Sequence, residues 1–166
     1  MSTFVAVGNA TQPFHRLIDA IDEIAGQLPQ PVFVQFGAAS PSRRTGWSGT
    51  DFLNMAEFER RAGEAQLLIL HAGAGSVIHA IRAGKVPVVV PRRAHLGEHV
   101  DDHQMEFAME LEKTGKVLVA HDARAIAAAA PLAMHRQSRL AADLNAEPAL
   151  IGMVRSVLHG NGRLAP

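Results

Sequence analysis

The sequence predicts an α/β domain built on a doubly wound parallel sheet, and two observations lead to that fold class. Short apolar runs rich in β-branched residues alternate along the chain with longer segments whose apolar residues recur every three or four positions. Strands that are apolar on both faces are typical of a parallel sheet covered by helices on both sides. The right-handed crossover rule then gives a doubly wound order, in which ligands bind at the carboxyl ends of the strands.

Each element is predicted from its local pattern. Five strands are expected, at Thr3–Gly8, Val32–Phe36, Leu67–His71, Val86–Val90 and Lys116–Ala120. Helical spacing between Phe14 and Leu28 predicts the first helix, with Pro13 in its first turn and Pro29 ending it. Further helices are expected at Met55–Ala65, Gly75–Ala83 and His99–Thr114, in the Ala-rich stretch after Asp122, and at Glu147–Leu158.

Length and composition limit the function classes. The 166 residues predict one domain at 1–159 and a C-terminal tail at 160–166. Sixteen Lys and Arg balance sixteen Asp and Glu, and this zero net charge disfavours non-specific nucleic-acid binding. The absence of cysteine excludes disulfide scaffolds, Cys-ligated zinc, iron–sulfur clusters and a Cys nucleophile. Since neither a signal peptide nor an apolar run of the ~20 residues that span a membrane is found, we expect a cytoplasmic protein.

One long irregular stretch, Gly37–Thr50, contains the single Trp of the chain, Trp47, and the pair Arg43 and Arg44. A loop of this length inside a compact domain is often functional, although a solvated loop fits the pattern equally well.

The strongest local signal is the segment 67–85. A buried strand there ends at His71, and a tight turn of small residues leads into the next helix. The turn consists of Gly73, Ala74, Gly75 and Ser76, of which Ser76 is expected to open the helix. Small residues let a ligand approach the backbone, and N–H groups at a helix start attract phosphate, so this turn could hold a diphosphate without a metal ion. A turn that needs its glycines only for packing fits the same residues.

A second polar cluster follows the apolar run that ends at Pro91. Its members are Glu98, His99, Asp101, Asp102, His103 and Gln104. Their carboxylate and amide groups can bind sugar hydroxyls. Acidic residues at a helix start can also be explained as partners of the helix dipole, but that explanation does not account for the histidines and Gln104.

Two other kinds of site are less well supported. His95, His99 and His103 lie four residues apart, as metal ligands on one helix would, but Gly97 interrupts a helix that would carry all three. Ser76 lacks both glycines of the nucleophile elbow of serine hydrolases. We therefore expect neither a metal site nor a serine nucleophile.

Taken together, these motifs resemble the C-terminal, donor-binding domain of glycosyltransferase family 28. The resemblance is carried by the opening VAVGNATQPFHRL at 5–17, PVFVQFG at 31–37, HAGAGS at 71–76, PRR at 91–93 and GEHVDDHQ at 97–104. It extends from Thr3 to Asp122. The second polar motif is most similar to the small single-domain subunits of bacterial exopolysaccharide synthesis, and next to the catalytic subunit of the dolichol-linked N-acetylglucosaminyltransferase.

The resemblance implies a Rossmann-like domain that forms one half of a GT-B fold. It implies an inverting glycosyltransferase with a nucleotide-sugar donor, usually UDP-linked, and a lipid-diphosphate-linked acceptor. The implied donor-binding residues are Gly8, Asn9, Gly73, Ala74, Gly75, Ser76, His79, Glu98, His103 and Gln104. The turn at 73–76 would face the diphosphate, and His103 with Gln104 would hold sugar hydroxyls. His79 stands where the family often has a ribose-binding Glu, and Asn9 stands where it usually has Thr.

Glycosyl transfer requires a positioned sugar, a deprotonated acceptor hydroxyl and a stabilised leaving diphosphate. The chain has no D-x-D metal motif, so N–H groups at a helix start would take the place of Mg²⁺, and no cofactor is expected. The candidate bases are His15, His71 and His99, unless another polypeptide supplies the base.

A cleft between two domains requires a second wall, which 166 residues do not provide. We therefore expect a membrane-associated partner subunit that binds the acceptor and recruits this chain to the inner face of the membrane. The contact surface should include Gly8–Gln12 and Gly37–Thr50. A non-catalytic nucleotide-sugar-binding module and an N-acetylglucosaminyltransferase subunit of another lipid-linked glycan pathway remain alternatives, whereas an epimerase on the GT-B fold would need both halves in one chain.

Overall fold

The computed structural model describes residues 2–40 and 46–140, which form a six-stranded, wholly parallel sheet with helices on both faces. The strands are β1 (Thr3–Ala6), β2 (Val32–Gln35), β3 (Ser48–Thr50), β4 (Leu67–His71), β5 (Val88–Val90) and β6 (Leu118–Val119). The helices are α1 (His15–Ile24), α2 (Met55–Glu64), α3 (Ala74–Arg82), α4 (His103–Lys113) and α5 (Ala123–Leu140). The strand order β3-β2-β1-β4-β5-β6 confirms the predicted doubly wound α/β class.

All five predicted strands are present, and four of them are shorter than predicted. β2 ends at Gln35 rather than at Phe36. β1 ends at Ala6, β5 begins at Val88 and β6 contains only two residues. β3 was not predicted, because its sequence SGT carries no apolar run and lies at the sheet edge. Its pairing with β2 requires a glycine, since a Cβ on Gly49 would lie 2.0 Å from the carbonyl oxygen of Val34.

The long stretch expected to be irregular is therefore partly ordered. Gly37–Ala39 forms a 3-10 turn, and the buried Trp47 leads into β3. The indole Nε1 of Trp47 donates a hydrogen bond to the Asp22 carboxylate of α1 at 2.5 Å. Trp47 is thus a core residue that joins the sheet edge to α1. Arg43 and Arg44 lie outside the described residues, as do the predicted helix at 147–158 and the tail at 160–166.

Three helix starts differ from the prediction. α1 begins at His15 with Phe14 at the N-cap position, so Pro13 lies before the helix rather than in its first turn. α4 begins at His103 rather than His99, because Gly97 (φ 68°) ends a 3-10 turn at Ala94–Leu96 and the chain then bends before the helix. α3 begins at Ala74, one residue before the predicted Gly75 and two before Ser76, with Gly73 at the N-cap position. As a result, His99, Asp101 and Asp102 lie in a loop rather than in α4, whereas Ala74 lies in α3 rather than in the turn before it.

The core lies on both faces of the sheet and fixes where the site can be. Val5 and Ile69 face α1 and α5, whereas Phe4 and Leu68 face α2 and α3. α4 packs beside α3 through Phe107 and Leu111. From β1 the chain continues to β2 on one side, whereas from β4 it continues to β5 on the other side. The connections therefore leave these two neighbouring strands in opposite directions, and a crevice opens between their carboxyl ends. Within the described ranges, no helix is long and apolar enough to cross a bilayer.

Candidate functional site

A cleft of about 510 Å³ lies at the carboxyl ends of β1 and β4. One wall is formed by the loops that follow these strands and contains Gly8, Asn9, Gly73, Gly75 and Ser76. The opposite wall is formed by α2 and the turn before it and contains Phe52, Leu53, Met55, Phe58 and Glu59. His71 and His79 also line the cleft. The structure thus brings together seven of the residues proposed from the sequence and adds an apolar wall that was not anticipated.

The imidazole of His71 occupies the base of the cleft between two glycines. A Cβ on Gly8 would lie 2.4 Å from its Nε2 atom, and a Cβ on Gly73 would lie 2.2 Å from the same atom. Gly8 also has a φ of +81°, which L side chains rarely adopt. Both positions are therefore restricted to glycine by the position of this ring.

His71 is a poor candidate for a base at neutral pH. Burial, with a contribution from the positive charge of Arg92, lowers its pKa to about 4. Its Nδ1 atom lies 3.4 Å from the carbonyl oxygen of Ala6, which can only accept a hydrogen bond. His71 is thus a neutral ring, and any hydrogen bond to Ala6 requires the proton on Nδ1.

Gln35 is a site residue that sequence reasoning missed. It is buried at the end of β2, and its amide forms hydrogen bonds to both sides of the cleft. Its Oε1 accepts from the N–H of Gly8 at 3.0 Å, and its Nε2 donates to the carbonyls of Gly8 at 3.1 Å and Asp51 at 2.8 Å. The signal in the sequence is a single amide at the end of an otherwise apolar strand.

The start of α3 has the features of an anion site. The N-cap residue Gly73 makes no side-chain capping bond, so the first N–H groups of the helix are not satisfied by a cap. Gly75 and Ser76 line the cleft in the first turn, where the helix dipole is positive. Ala74 instead packs partly against the core. Of the four residues expected at the diphosphate, Ala74 can therefore contribute only its backbone.

His79 is accompanied by a carboxylate from the opposite wall. Its Nδ1 lies 3.6 Å from Oε1 of Glu59, and its ring contacts that of Phe58 edge-on, with the centroids 6.0 Å apart. A carboxylate and an imidazole therefore lie next to each other in the cleft. Glu59 was not identified from the sequence, because its proximity to His79 arises only when α2 packs beside α3.

Glu98 does not lie in the cleft, in contrast to the expectation from its sequence motif. It is 5% exposed, and both of its carboxylate oxygens accept hydrogen bonds from the protein. Arg16 donates to them at 2.9 and 2.7 Å, and the N–H of Arg93 donates at 2.9 Å. The carboxylate is therefore used to hold the loop after β5 against α1, and it is not available for sugar hydroxyls.

The remaining polar residues of that loop form a separate cluster beside the cleft. His99 Nδ1 lies 3.1 Å from Oδ1 of Asp101, which also accepts from the N–H of His103 at 3.1 Å. The Oε1 of Gln104 accepts a hydrogen bond from the N–H of Arg92 at 3.2 Å, so this amide oxygen is bound to the protein backbone. The side chain of His103 is 77% exposed. None of these residues is among those lining the cleft, so the residues expected to bind sugar hydroxyls and the cleft are distinct.

The three candidate bases have different surroundings. His15 is the exposed first residue of α1, His71 is enclosed at the base of the cleft, and only His99 pairs with a carboxylate. Asp101 can orient His99 by accepting its Nδ1 proton. Across residues 2–40 and 46–140, no three His, Asp or Glu side chains group in a way that could hold a metal ion.

The chain matches a known family and curated proteins. A family model described as "Glycosyltransferase family 28 C-terminal domain" matches residues 2–143. The chain is 35% identical over 149 residues to "UDP-N-acetylglucosamine transferase subunit ALG13" of Yarrowia lipolytica, with 82% of this chain and 74% of that protein covered. It is 42% identical over 66 residues to the protein of the same name from Cryptococcus neoformans var. neoformans serotype D, with 39% and 31% covered.

Two solved structures share the fold. "Crystal Structure Analysis of the Glycotransferase of kitacinnamycin" gives a TM-score of 0.62 at 18% identity and covers 94% of this chain and 41% of that one. "Crystal Structure of CalG4, the Calicheamicin Glycosyltransferase" gives 0.57 at 16% identity and covers 99% and 44%. The chain therefore spans less than half of either solved glycosyltransferase.

Proposed function

The chain belongs to the family of glycosyltransferase family 28 C-terminal domains, and from this premise we propose that it binds a UDP-sugar in the cleft and transfers the sugar to a lipid-diphosphate-linked acceptor. The observation that carries the proposal is the uncapped start of α3 beside the glycine-lined loop after β1, at the reversal point of a parallel sheet. A cleft of about 510 Å³ has the size of sites that enclose small ligands and cofactors.

The diphosphate is proposed to lie against Gly75 and Ser76. Uncapped N–H groups and the positive end of the helix dipole favour an anion there, and Gly8 and Gly73 let it approach the backbone. These groups would stabilise the charge that develops on the leaving diphosphate. We therefore propose that neither a metal ion nor another cofactor is needed.

The nucleoside is proposed to lie against the wall formed by α2. Phe52 and Met55 are 60% and 67% exposed at the rim of the cleft, which is unusual for large apolar side chains and suits the face of a base. The ribose would then face Glu59 and His79. We propose that Glu59 supplies from α2 the carboxylate that the family usually carries at the position of His79.

The sugar is proposed to reach from the diphosphate toward the loop after β5. The amide nitrogen of Gln104 and the exposed His103 would bind its hydroxyls, since both residues lie at the start of α4, where this loop ends. Because the curated relatives are named as subunits of a UDP-N-acetylglucosamine transferase, we propose N-acetylglucosamine as the transferred sugar. Transfer in exopolysaccharide synthesis, suggested by the second sequence motif, is the alternative setting.

His99 is the proposed general base. Its Nδ1 lies 3.1 Å from Oδ1 of Asp101. In the tautomer with the proton on Nδ1, the carboxylate accepts that proton, and the Nε2 lone pair is free to take the proton of the acceptor hydroxyl. The acceptor oxygen then bonds to the anomeric carbon with inversion as the bond to the diphosphate breaks, and UDP leaves with the electron pair. His71 is unsuited to this step, because its ring is enclosed and its pKa is about 4.

A partner subunit is proposed to complete the site. The curated relatives are named as subunits, and the solved structures of this fold are more than twice as long as this chain. We propose that a membrane-associated partner binds the acceptor and that Gly8–Gln12 and Gly37–Thr50 form part of the contact. The complex would work at the cytoplasmic face of a membrane.

The test is transfer by purified chain supplemented with membranes that contain the partner. With radiolabelled UDP-N-acetylglucosamine, label should enter lipid only when both components are present. His99→Gln should abolish transfer and leave binding of UDP-N-acetylglucosamine within about threefold of the wild type, since the base acts after binding. His95→Gln, an exposed histidine on the same loop, is the matched control and should retain activity. Full transfer by His99→Gln, or by the chain alone, would contradict the proposal.

A further inference from the structure

Arg92 is the largest side chain that is fully buried in the described residues, although it is charged. It follows the end of β5, is 0% exposed, and lies with its guanidinium 4.7 Å from the centroid of the Phe14 ring. Burying a charge costs free energy unless hydrogen bonds compensate for lost water. A buried arginine at the ligand-binding edge of the sheet therefore needs a structural reason.

The reason lies in three backbone carbonyls. Nη1 donates to the carbonyl of Gln12 at 2.8 Å and to that of Glu98 at 2.9 Å, and Nη2 donates to the carbonyl of Val7 at 2.7 Å. Val7 and Gln12 lie on either side of the loop 8–11, whereas Glu98 lies in the middle of the loop after β5. One planar group thus fixes both ends of the first loop to the second loop.

Neighbouring contacts continue the connection on both sides. The backbone N–H of Arg92 donates to the side chain of Gln104, and the Glu98 carboxylate pairs with Arg16 of α1 at 2.7 Å. Arg16 donates further to the carbonyls of Pro91 and His121, each at 2.8 Å. The loops after β1, β5 and β6 therefore meet around these two arginines.

We propose that Arg92 is a positioning residue that joins the loop 8–11 to the loop 93–102, so that the wall formed by Gly8 and Asn9 keeps a fixed geometry relative to His99 and Gln104. The consequence for ligands rests on the proposed function, in which the first loop lies at the diphosphate and the second at the sugar. A lysine cannot replace the arginine, because an ammonium group does not present donors in a rigid planar fork to three carbonyls.

The first test needs no ligand. Hydrogen exchange of the backbone amides should be compared in the wild type, Arg92→Lys and Arg93→Lys. In Arg92→Lys, amides of both 8–12 and 93–104 should exchange about ten- to hundredfold faster, while those of β2 and α2 remain unchanged. Arg93→Lys is the matched control, because it replaces the neighbouring guanidinium. The Nε atoms of both arginines are buried without a hydrogen-bond partner among the described residues, and the three carbonyl bonds are made by the Nη atoms of Arg92. Unchanged protection in Arg92→Lys, or loosening of only one loop, would overturn the proposal.

A second measurement on the wild type keeps the proposal testable if Arg92→Lys fails to fold. A guanidinium held by three carbonyls rotates slowly about its Cζ–Nε bond, so the Nη hydrogens of Arg92 should give separate NMR signals that resist exchange with water. A single averaged Nη signal, as for a freely rotating arginine, would contradict the proposed role.

Ligand binding then shows whether the connection matters to the donor. Arg92→Lys should weaken UDP-N-acetylglucosamine at least about tenfold more than UDP, because only the whole donor contacts both loops. An equal loss for both ligands would contradict the role in positioning. If the wild type bound no UDP-sugar, the proposed function would fail, and the exchange results would still decide the role of Arg92.

Discussion

Gly75 offers a test of the phosphate site in which stability and binding should change in opposite directions. It lies in the first turn of α3 and lines the cleft, and a Cβ built on it meets no heavy atom within 4 Å. Gly75→Ala should therefore raise the free energy of unfolding by about 0.5–1 kcal/mol, since alanine is the better helix former. The added methyl group would occupy open space next to the N–H groups proposed to hold the diphosphate.

The expected loss of affinity follows from the hydrogen bonds that the methyl group would displace. A hydrogen bond to a charged phosphate contributes about 1.5–3 kcal/mol, so losing one should weaken UDP about ten- to hundredfold. Isothermal titration calorimetry measures the affinity, and urea unfolding measures the stability. A small stabilising effect combined with a large loss of binding is the expected result.

Gly63 provides the matched control for this substitution. It also lies in a helix, α2, and a Cβ on it likewise meets nothing within 4 Å, but it does not line the cleft. Gly63→Ala should be stabilised to a similar extent and should bind UDP like the wild type. Wild-type affinity in Gly75→Ala would refute the assignment of the diphosphate to α3, and equal losses in both variants would show that the effect is not local.

Two further predictions concern the histidines of the cleft. His71 has a pKa of about 4 in the folded protein against 6.5 in the unfolded chain, so the unfolded chain binds the extra proton between these values. The contribution of His71 to the free energy of unfolding should be complete above about pH 6.5 and should fall by up to about 3 kcal/mol toward pH 4. In urea unfolding, His71→Gln should lack this part of the pH dependence. Glu59→Gln should weaken UDP about tenfold and weaken 2′-deoxy-UDP less, if the Glu59–His79 pair binds ribose hydroxyls. Equal losses for the two nucleotides in calorimetry would remove Glu59 from the ribose site.

The fold was largely predictable because most of its strands are buried on both faces. Continuous apolar runs identify such strands, as for Leu67–His71, whereas the edge strand Ser48–Thr50 has no such run and was missed. Its pairing depends on the absence of a side chain at Gly49, which local pattern alone does not predict. The start of α4 was misplaced because acidic residues before His103 resemble a first helical turn, although Gly97 redirects the chain.

The candidate site was predictable where one short segment carries the chemistry. The turn at 73–76 is recognisable in the sequence by its small residues between a strand and a helix, and its glycines line the cleft in the structure. Residues whose role depends on distant partners were not predictable. Glu98 was expected at the sugar but pairs with Arg16, which is 82 positions away. Gln35 at the end of β2 contacts Gly8, which follows the neighbouring strand β1.

The most direct test of the central claim is calorimetric titration of the purified chain with UDP-N-acetylglucosamine in the presence of EDTA. If the N–H groups at the start of α3 take the place of a metal ion, the donor should bind with the same affinity in EDTA as in Mg²⁺. UDP should bind as well, and GDP- and dTDP-linked sugars should bind more weakly. Absence of binding, or binding that appears only when Mg²⁺ is added, would contradict the account.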